Sequence, residues 1–161
     1  MKKLIYTLLL IIALTNNSLS AGTASDSSDG SSSYTKAYNL IKAAKKYEKK
    51  GKTEKAQKRY AKAQKLLLEA NKKKPLQADT LNYLGFTTRK LGDYEKGEEF
   101  YLQGLQIEPN HNGINEYLGE LYIATNKMDL AKERLNVLKS CDCKEYKQLK
   151  EIIEGTKKSK Y

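Results

Sequence analysis

Apolar side chains recur at helical spacing along several stretches of the chain, and short polar turns interrupt them. One such stretch covers positions 79–91 and ends at Gly92-Asp93, a dipeptide typical of turns. The pattern resumes over positions 94–107. A second copy runs from 116 to 138 around a turn at Asn126. The pattern therefore predicts consecutive pairs of helices joined by tight turns.

The two clearest pairs of helices repeat at a fixed interval. Leu84-Gly85 in the first pair corresponds to Leu118-Gly119 in the second, and the same interval separates Pro75 from Pro109. An interval of about 34 residues indicates stacked helical hairpins, because a single hairpin cannot bury its apolar face alone. The sequence thus predicts an all-α fold built from repeated hairpins.

These positions resemble the tetratricopeptide repeat family over about residues 34–139. The resemblance implies a short helical solenoid of three hairpins, at about 34–75, 76–109 and 110–143, closed by a capping helix at 144–155. It also implies a protein-interaction function, in which the first helix of each hairpin lines a concave groove. The residues that carry the resemblance are Leu84-Gly85, Gly92-Asp93-Tyr94, Tyr101, Pro109, Leu118-Gly119, Tyr122, Ala131 and Leu135.

The first repeat is longer than the others. Gly51 matches the turn glycine Gly92, but the interval between these two glycines exceeds the repeat interval. The excess of about seven residues corresponds to about two helical turns. The sequence therefore predicts that the second helix of this repeat runs from Thr53 to about Lys73.

The segment before the first repeat is predicted to direct export. Residues 1–21 combine Lys2 and Lys3 with an apolar run and small residues, which is typical of a cleaved secretory signal. An uncleaved membrane anchor is the alternative, although the run is short for a span. Residues 22–33 are nearly devoid of apolar side chains and are interpreted as a flexible linker. Residues 156–161 are expected to fray.

Positive charge is concentrated in the first repeat. Residues 34–75 carry 15 Lys and Arg against three Glu, a net charge of +12, whereas residues 76–161 carry −1. Such a surface attracts acidic proteins, anionic lipid or other polyanions. The alternative is a solvated lysine face without a partner. Nucleic acid is a poor candidate, since no known nucleic-acid-binding module is recognisable.

The resemblance places a partner-binding groove on the first helices of the hairpins. Asn82, Phe86 and Arg89 share one helix face, where they could supply an amide, an apolar surface and a bidentate guanidinium. In the alternative interpretation Phe86 belongs to the core and Arg89 is solvated. The predicted groove residues are Asp79, Asn82, Phe86, Arg89, Lys90, Glu116, Glu120, Ile123, Lys45 and Lys49.

Cys141 and Cys143 are the two cysteines of the chain. In an exported protein they suggest an intramolecular disulfide. Free thiols, an intermolecular disulfide and a metal site are the alternatives, the last being disfavoured because two thiolates do not complete a tetrahedral site. A thiol redox or metal-handling function would use this pair.

We identify no catalytic residues, metal site or cofactor motif in the sequence. His111 is the single histidine and is interpreted as a surface turn residue. No nucleophile has a recognisable base, and no glycine-rich phosphate loop is present. The sequence therefore predicts a non-enzymatic adaptor that is exported to the periplasm or secreted. Its partner would be a protein or peptide, and an acidic one would suit the charge. A basic protein in peripheral contact with a membrane is the main alternative.

Overall fold

The computed structural model describes residues 27–159, and over this range it contains seven α-helices and no strand. No helix in this range is long and apolar enough to cross a membrane. The prediction of an all-α fold is confirmed. The helices are α1 (Ser27–Glu48), α2 (Thr53–Lys73), α3 (Ala78–Lys90), α4 (Tyr94–Ile107), α5 (Asn112–Ala124), α6 (Met128–Leu138) and α7 (Lys144–Ile153).

Consecutive helices pack as antiparallel hairpins that stack in chain order. The pairs α1–α2, α3–α4 and α5–α6 form the three hairpins, and α7 packs on α5 and α6. One apolar cluster joins the first hairpin to α3, and a second joins α4 to α5 and α6. Each hairpin therefore buries its apolar face against its neighbour, as a solenoid requires.

Two glycines mark the closest approaches of these helices. A Cβ on Gly85 would lie 2.5 Å from Tyr101 Cε1, within the same hairpin. A Cβ on Gly119 would lie 2.6 Å from Leu149 Cδ2, a side chain of α7. The two glycines thus hold the same repeat position but make room for different helices.

The extended first hairpin agrees with the prediction. Helix α2 has 21 residues and begins at Thr53, whereas its counterpart α4 has 14 residues. The turns before them contain Gly51 and Gly92, whose φ angles are +66° and +100°. Glycine is favoured there because a Cβ is strained at positive φ.

The beginning and the end of the described region differ from the sequence-based expectation. Helix α1 starts at Ser27, inside the segment 22–33 that was predicted to be a flexible linker, and Ser33 is buried. The composition of this segment gave no indication of the packing that buries Ser33.

At the other end, Thr156 Oγ1 donates a hydrogen bond to the Glu151 carbonyl at 3.1 Å, so the first part of the tail is held against α7. The predicted signal segment, residues 1–21, lies outside the described residues.

Candidate partner-binding groove

A cavity of about 640 Å³ opens on the side of the stack formed by the first helix of each hairpin. Its wall comprises α1, α3, α5 and the first residues of α2 and α7. This volume is within the range of ligand-binding clefts. The lining residues are Lys45, Glu48, Lys49, Thr53, Asn82, Tyr83, Phe86, Lys90, Gly113, Glu116, Tyr117, Glu120, Lys144, Glu145 and Gln148.

The repeat explains why α3 and α5 contribute matching positions. Asn82 and Tyr83 on α3 correspond to Glu116 and Tyr117 on α5, one repeat later in the chain. Equivalent residues of stacked repeats face the same side of a solenoid. The groove wall therefore contains equivalent faces of α3 and α5, which carry different side chains.

Aromatic rings form the floor of the groove. The Phe86 ring lies 5.0 Å from the Tyr117 ring and 5.7 Å from the Tyr60 ring, measured between centroids. Lys45 Nζ lies 4.3 Å from the Phe86 centroid and donates a hydrogen bond to the Tyr117 hydroxyl at 2.9 Å. These contacts join α1 to α5 across the intervening α3, which fixes the width of the groove at this point.

Two ion pairs flank the aromatic floor. Lys90 Nζ lies 2.7 Å from Glu48 Oε1, and the Tyr60 hydroxyl donates a hydrogen bond to the other carboxylate oxygen at 2.8 Å. Arg89 Nη2 lies 3.4 Å from Glu120 Oε2 in a pair whose side chains are almost completely buried. The charged side chains of the groove thus take part in the packing between repeats.

The predicted role of Arg89 as a guanidinium offered to a partner is wrong, whereas Phe86 lines the groove although it is buried. Phe86 is 3% exposed and Arg89 is 2% exposed. Arg89 Nη1 also donates a hydrogen bond to the Tyr117 carbonyl at 2.8 Å. Because Glu120 and the Tyr117 carbonyl bind the guanidinium inside the protein, Arg89 joins α3 to α5 and does not point into solvent.

Burial raises the pKa values of the tyrosines around the groove. Desolvation is the main cause at Tyr60 and Tyr117, whose pKa values are raised well above the usual range. Desolvation also raises the pKa of Tyr83 to about 12. These phenols therefore remain neutral at physiological pH.

Asn82 is a polar residue of the groove whose side-chain oxygen lacks a partner. The residue is 5% exposed, and Oδ1 makes no hydrogen bond to any described residue. A buried acceptor of this kind costs about 1–3 kcal/mol relative to a satisfied one. Gly113 faces the same amide, since a Cβ at position 113 would lie 2.8 Å from Asn82 Nδ2.

The structure brings seven of the ten predicted groove residues to the cavity wall, namely Lys45, Lys49, Asn82, Phe86, Lys90, Glu116 and Glu120. Asp79, Arg89 and Ile123 are not among its lining residues.

Asp79 Oδ1 lies 3.2 Å from His111 Nε2, and His111 Nδ1 accepts a hydrogen bond from the Ile114 amide. His111 is therefore the N-cap of α5 as well as a turn residue.

Sequence reasoning missed several residues of the groove. Tyr83 and Tyr117 could have been found, because one repeat interval separates them and they adjoin the predicted positions 82 and 116. The contribution of α7 could not be found from the repeat, since the interval does not continue into it. Helix α7 supplies Lys144, Glu145 and Gln148.

Cys141 and Cys143 are joined by a disulfide in the structure. The disulfide lies between α6 and α7, and Cys143 is the residue immediately before α7. It therefore restricts the connection that brings α7 to the groove. The described residues contain no group of three or more His, Cys, Asp or Glu arranged to hold a metal ion.

The family comparison identifies the central hairpin. Residues 78–111, which include α3 and α4, match the tetratricopeptide repeat family. The central hairpin is a tetratricopeptide repeat. The first helix of this repeat contributes Asn82, Tyr83, Phe86 and Lys90 to the groove. No curated protein matches the sequence significantly.

Solved structures with the same repeat architecture extend the comparison to most of the chain. A chain of the CopN–Scc3 complex matches with a TM-score of 0.57 and 19% identity, over 82% of this chain and 71% of that chain. The Yersinia enterocolitica type III secretion translocator chaperone SycD, in an alternative dimer, matches with a TM-score of 0.53 and 15% identity. That match covers 75% of this chain and 88% of SycD. At these identities the similarity concerns the fold.

Proposed function

We propose that this protein is an exported adaptor that holds a segment of a protein partner in the groove between α1, α3, α5 and α7. The observation that carries the proposal is Asn82, a residue of the groove wall whose buried side-chain oxygen Oδ1 has no hydrogen-bond donor among the described residues. Its desolvation cost is offset when an occupant donates an N–H group. A peptide backbone supplies such donors at regular intervals.

The distribution of charge along the groove favours a particular orientation of the partner. The α1–α3 side has three lysines, Lys45, Lys49 and Lys90, against one acid, Glu48. The α5–α7 side has three acids, Glu116, Glu120 and Glu145, against one lysine, Lys144. An acidic group of the partner would therefore lie towards α1 and a basic group towards α7, because opposite charges attract across a desolvated interface. The tyrosines contribute apolar area and neutral hydroxyl groups, which suit a protein interface.

The similar structures support a protein as the occupant. One is described as a secretion translocator chaperone, and the other is a complex between two proteins. Both have the repeat fold of this chain. Helical solenoids of this kind offer extended concave surfaces for binding.

Two features support export of the adaptor. Residues 1–21 have the charged start, apolar run and small residues of a secretory signal. The disulfide between Cys141 and Cys143 is the second feature, because disulfides persist in oxidising compartments. Fractionation of the source cells, with the length of the protein measured by mass spectrometry, tests this part. A full-length protein that remains in the cytoplasm would contradict export.

Affinity capture with Asn82→Leu tests the groove. Leucine removes both polar atoms of Asn82 at similar size, so the variant should retain its fold while losing its protein partner at least tenfold. Asn71→Leu is the matched control, because Asn71 Oδ1 also lacks a hydrogen-bond partner but lies on α2, away from the groove. The partner should remain bound to the control. Equal capture by wild type and Asn82→Leu would contradict the proposal.

A further inference from the structure

Exposed lysines form two rows on the outer surface of the first hairpin. On α2, the lysines at positions 55, 58, 62, 65 and 72 are separated by three, four, three and seven residues, which aligns them along about 25 Å of one helix face. A shorter row follows α1. We define the lysine face as Lys42, Lys46, Lys50, Lys55, Lys58, Lys62, Lys65 and Lys72, all of which are exposed.

Few acidic side chains balance this face. Glu54 and Glu69 are the exposed acids of residues 34–75, and Glu54 forms an ion pair with Lys58. The net charge of this segment is +12, whereas residues 76–161 carry −1. Such a charge asymmetry orients the first hairpin towards any extended negative surface.

The side chains of the lysine face suit a diffuse negative surface better than a shaped protein partner. Protein interfaces are anchored by buried aromatic and arginine residues. Here the charges are lysines, which are flexible point charges without a fixed binding geometry. Leu68 is the one large apolar side chain of α2 that is largely exposed, at 47%. The face therefore offers electrostatic attraction without an anchoring pocket.

We propose that the lysine face docks on a membrane surface that contains anionic phospholipid. This surface is separate from the groove, whose lysines 45, 49, 90 and 144 are not part of the face. Several lysines within a Debye length of a negatively charged bilayer act together, and each adds to the attraction. Docking by this face holds the adaptor at the membrane by its first hairpin.

Vesicle flotation of the full chain tests the proposal. Vesicles of pure phosphatidylcholine are compared with vesicles in which on the order of one third of the lipid is phosphatidylglycerol. Wild type should bind the anionic vesicles at about 0.1 M salt, and raising the salt to about 1 M should remove this excess binding. The apolar run in residues 1–21 can bind either kind of vesicle. The difference in binding between anionic and neutral vesicles therefore measures the contribution of charge.

Two charge-matched variants assign the binding to the lysine face. A variant with four lysines of α2 replaced by glutamine should lower partitioning to anionic vesicles at least tenfold. Its substitutions are Lys55→Gln, Lys58→Gln, Lys62→Gln and Lys65→Gln. The control replaces exposed lysines of the C-terminal half by glutamine and should change partitioning less than twofold. Its positions are Lys132, Lys139, Lys147 and Lys150.

Three results would overturn the proposal. One is equal binding of wild type to neutral and anionic vesicles, and another is an equal loss of binding in the two variants. The third is binding of soluble polyphosphate or an acidic protein through Lys55 to Lys65 without any binding to anionic vesicles. Circular dichroism of both variants establishes that they are folded before the comparison is made.

Discussion

Lys45 on α1 donates a hydrogen bond at 2.9 Å to the hydroxyl of Tyr117 on α5, a residue 72 positions later in the chain. The two residues belong to the first and third hairpins and meet above Phe86 of the second. A single contact therefore spans all three repeats at the groove. Repeat proteins depend mainly on contacts between neighbouring repeats, so this longer connection makes the groove more rigid than the stack alone would.

A double-mutant cycle measures the Lys45–Tyr117 connection. Tyr117→Phe removes the hydroxyl acceptor and keeps the ring, whereas Lys45→Met removes the charge and keeps the aliphatic length. Each change should lower the free energy of unfolding by about 1 kcal/mol. Their effects should be non-additive by about 0.5 kcal/mol or more in urea unfolding, since both remove the same contact. Strict additivity would show that the hydrogen bond does not couple the repeats.

Removal of Arg89 should destabilise the protein strongly. Arg89→Met removes the guanidinium that lies against the buried Glu120 carboxylate, and loss of one partner of a buried ion pair costs about 3–5 kcal/mol. Replacing both partners, as Arg89→Met with Glu120→Leu, should restore much of the loss. The measurement is the midpoint of chemical unfolding. A double variant as unstable as Arg89→Met would contradict the proposed role of the pair.

Gly119→Ala should loosen α7. The new Cβ would lie 2.6 Å from Leu149 Cδ2, and overpacking of this kind costs about 1–3 kcal/mol. Hydrogen exchange should increase selectively in residues 144–153, while α1 to α4 remain protected. The control is Ser140→Ala, which changes an exposed residue near α7 without this clash. Gly92→Ala is unsuitable as a control because alanine is strained at the positive φ of position 92. Uniform exchange in Gly119→Ala and wild type would contradict the predicted contact.

Alkaline titration should show buried tyrosines that ionise late. Desolvation raises the pKa of Tyr83 from 10.0 to about 12, and burial also raises the pKa of Tyr122 to about 12. A phenol whose pKa is higher in the folded state releases its proton more readily after unfolding. The stability that these two tyrosines contribute is therefore fully present below pH 10 and is lost as the pH rises from 10 to 12. Ultraviolet absorbance should show that part of the phenolate signal appears only near pH 12, and complete phenolate formation near pH 10 in the folded protein would contradict this prediction.

Much of the fold could be predicted because it follows from local pattern and interval. The positions of Gly85 and Gly119 reveal the repeat, and the displaced Gly51 reveals the extra turns of α2. The same pattern could not distinguish an exposed groove residue from a buried one. The helical spacing places Arg89 on the same face of α3 as Asn82 and Phe86. Its pairing with Glu120 depends instead on how closely α3 and α5 approach each other.

The remaining differences also arise from contacts that are distant in sequence. Helix α7 reaches the groove wall because Gly119 admits Leu149, a partner that the repeat interval does not indicate. Asn82 could be placed in the groove by its helix position, whereas its lack of a hydrogen-bond partner depends on every neighbouring side chain. The sequence thus indicates which helix face lines the groove, whereas the packing determines which polar atom of that face lacks a hydrogen-bond partner among the described residues.

Site-specific photocrosslinking in the source cells tests the central claim most directly. A photoreactive amino acid replaces Gln148, which lines the groove on α7, or Gln103, an exposed residue of α4 that does not line it. The account predicts a discrete crosslinked protein from position 148 that is absent from position 103. It also predicts that Asn82→Leu abolishes this product. A product that forms equally from position 103, or that persists in Asn82→Leu, would contradict binding of the partner in the groove.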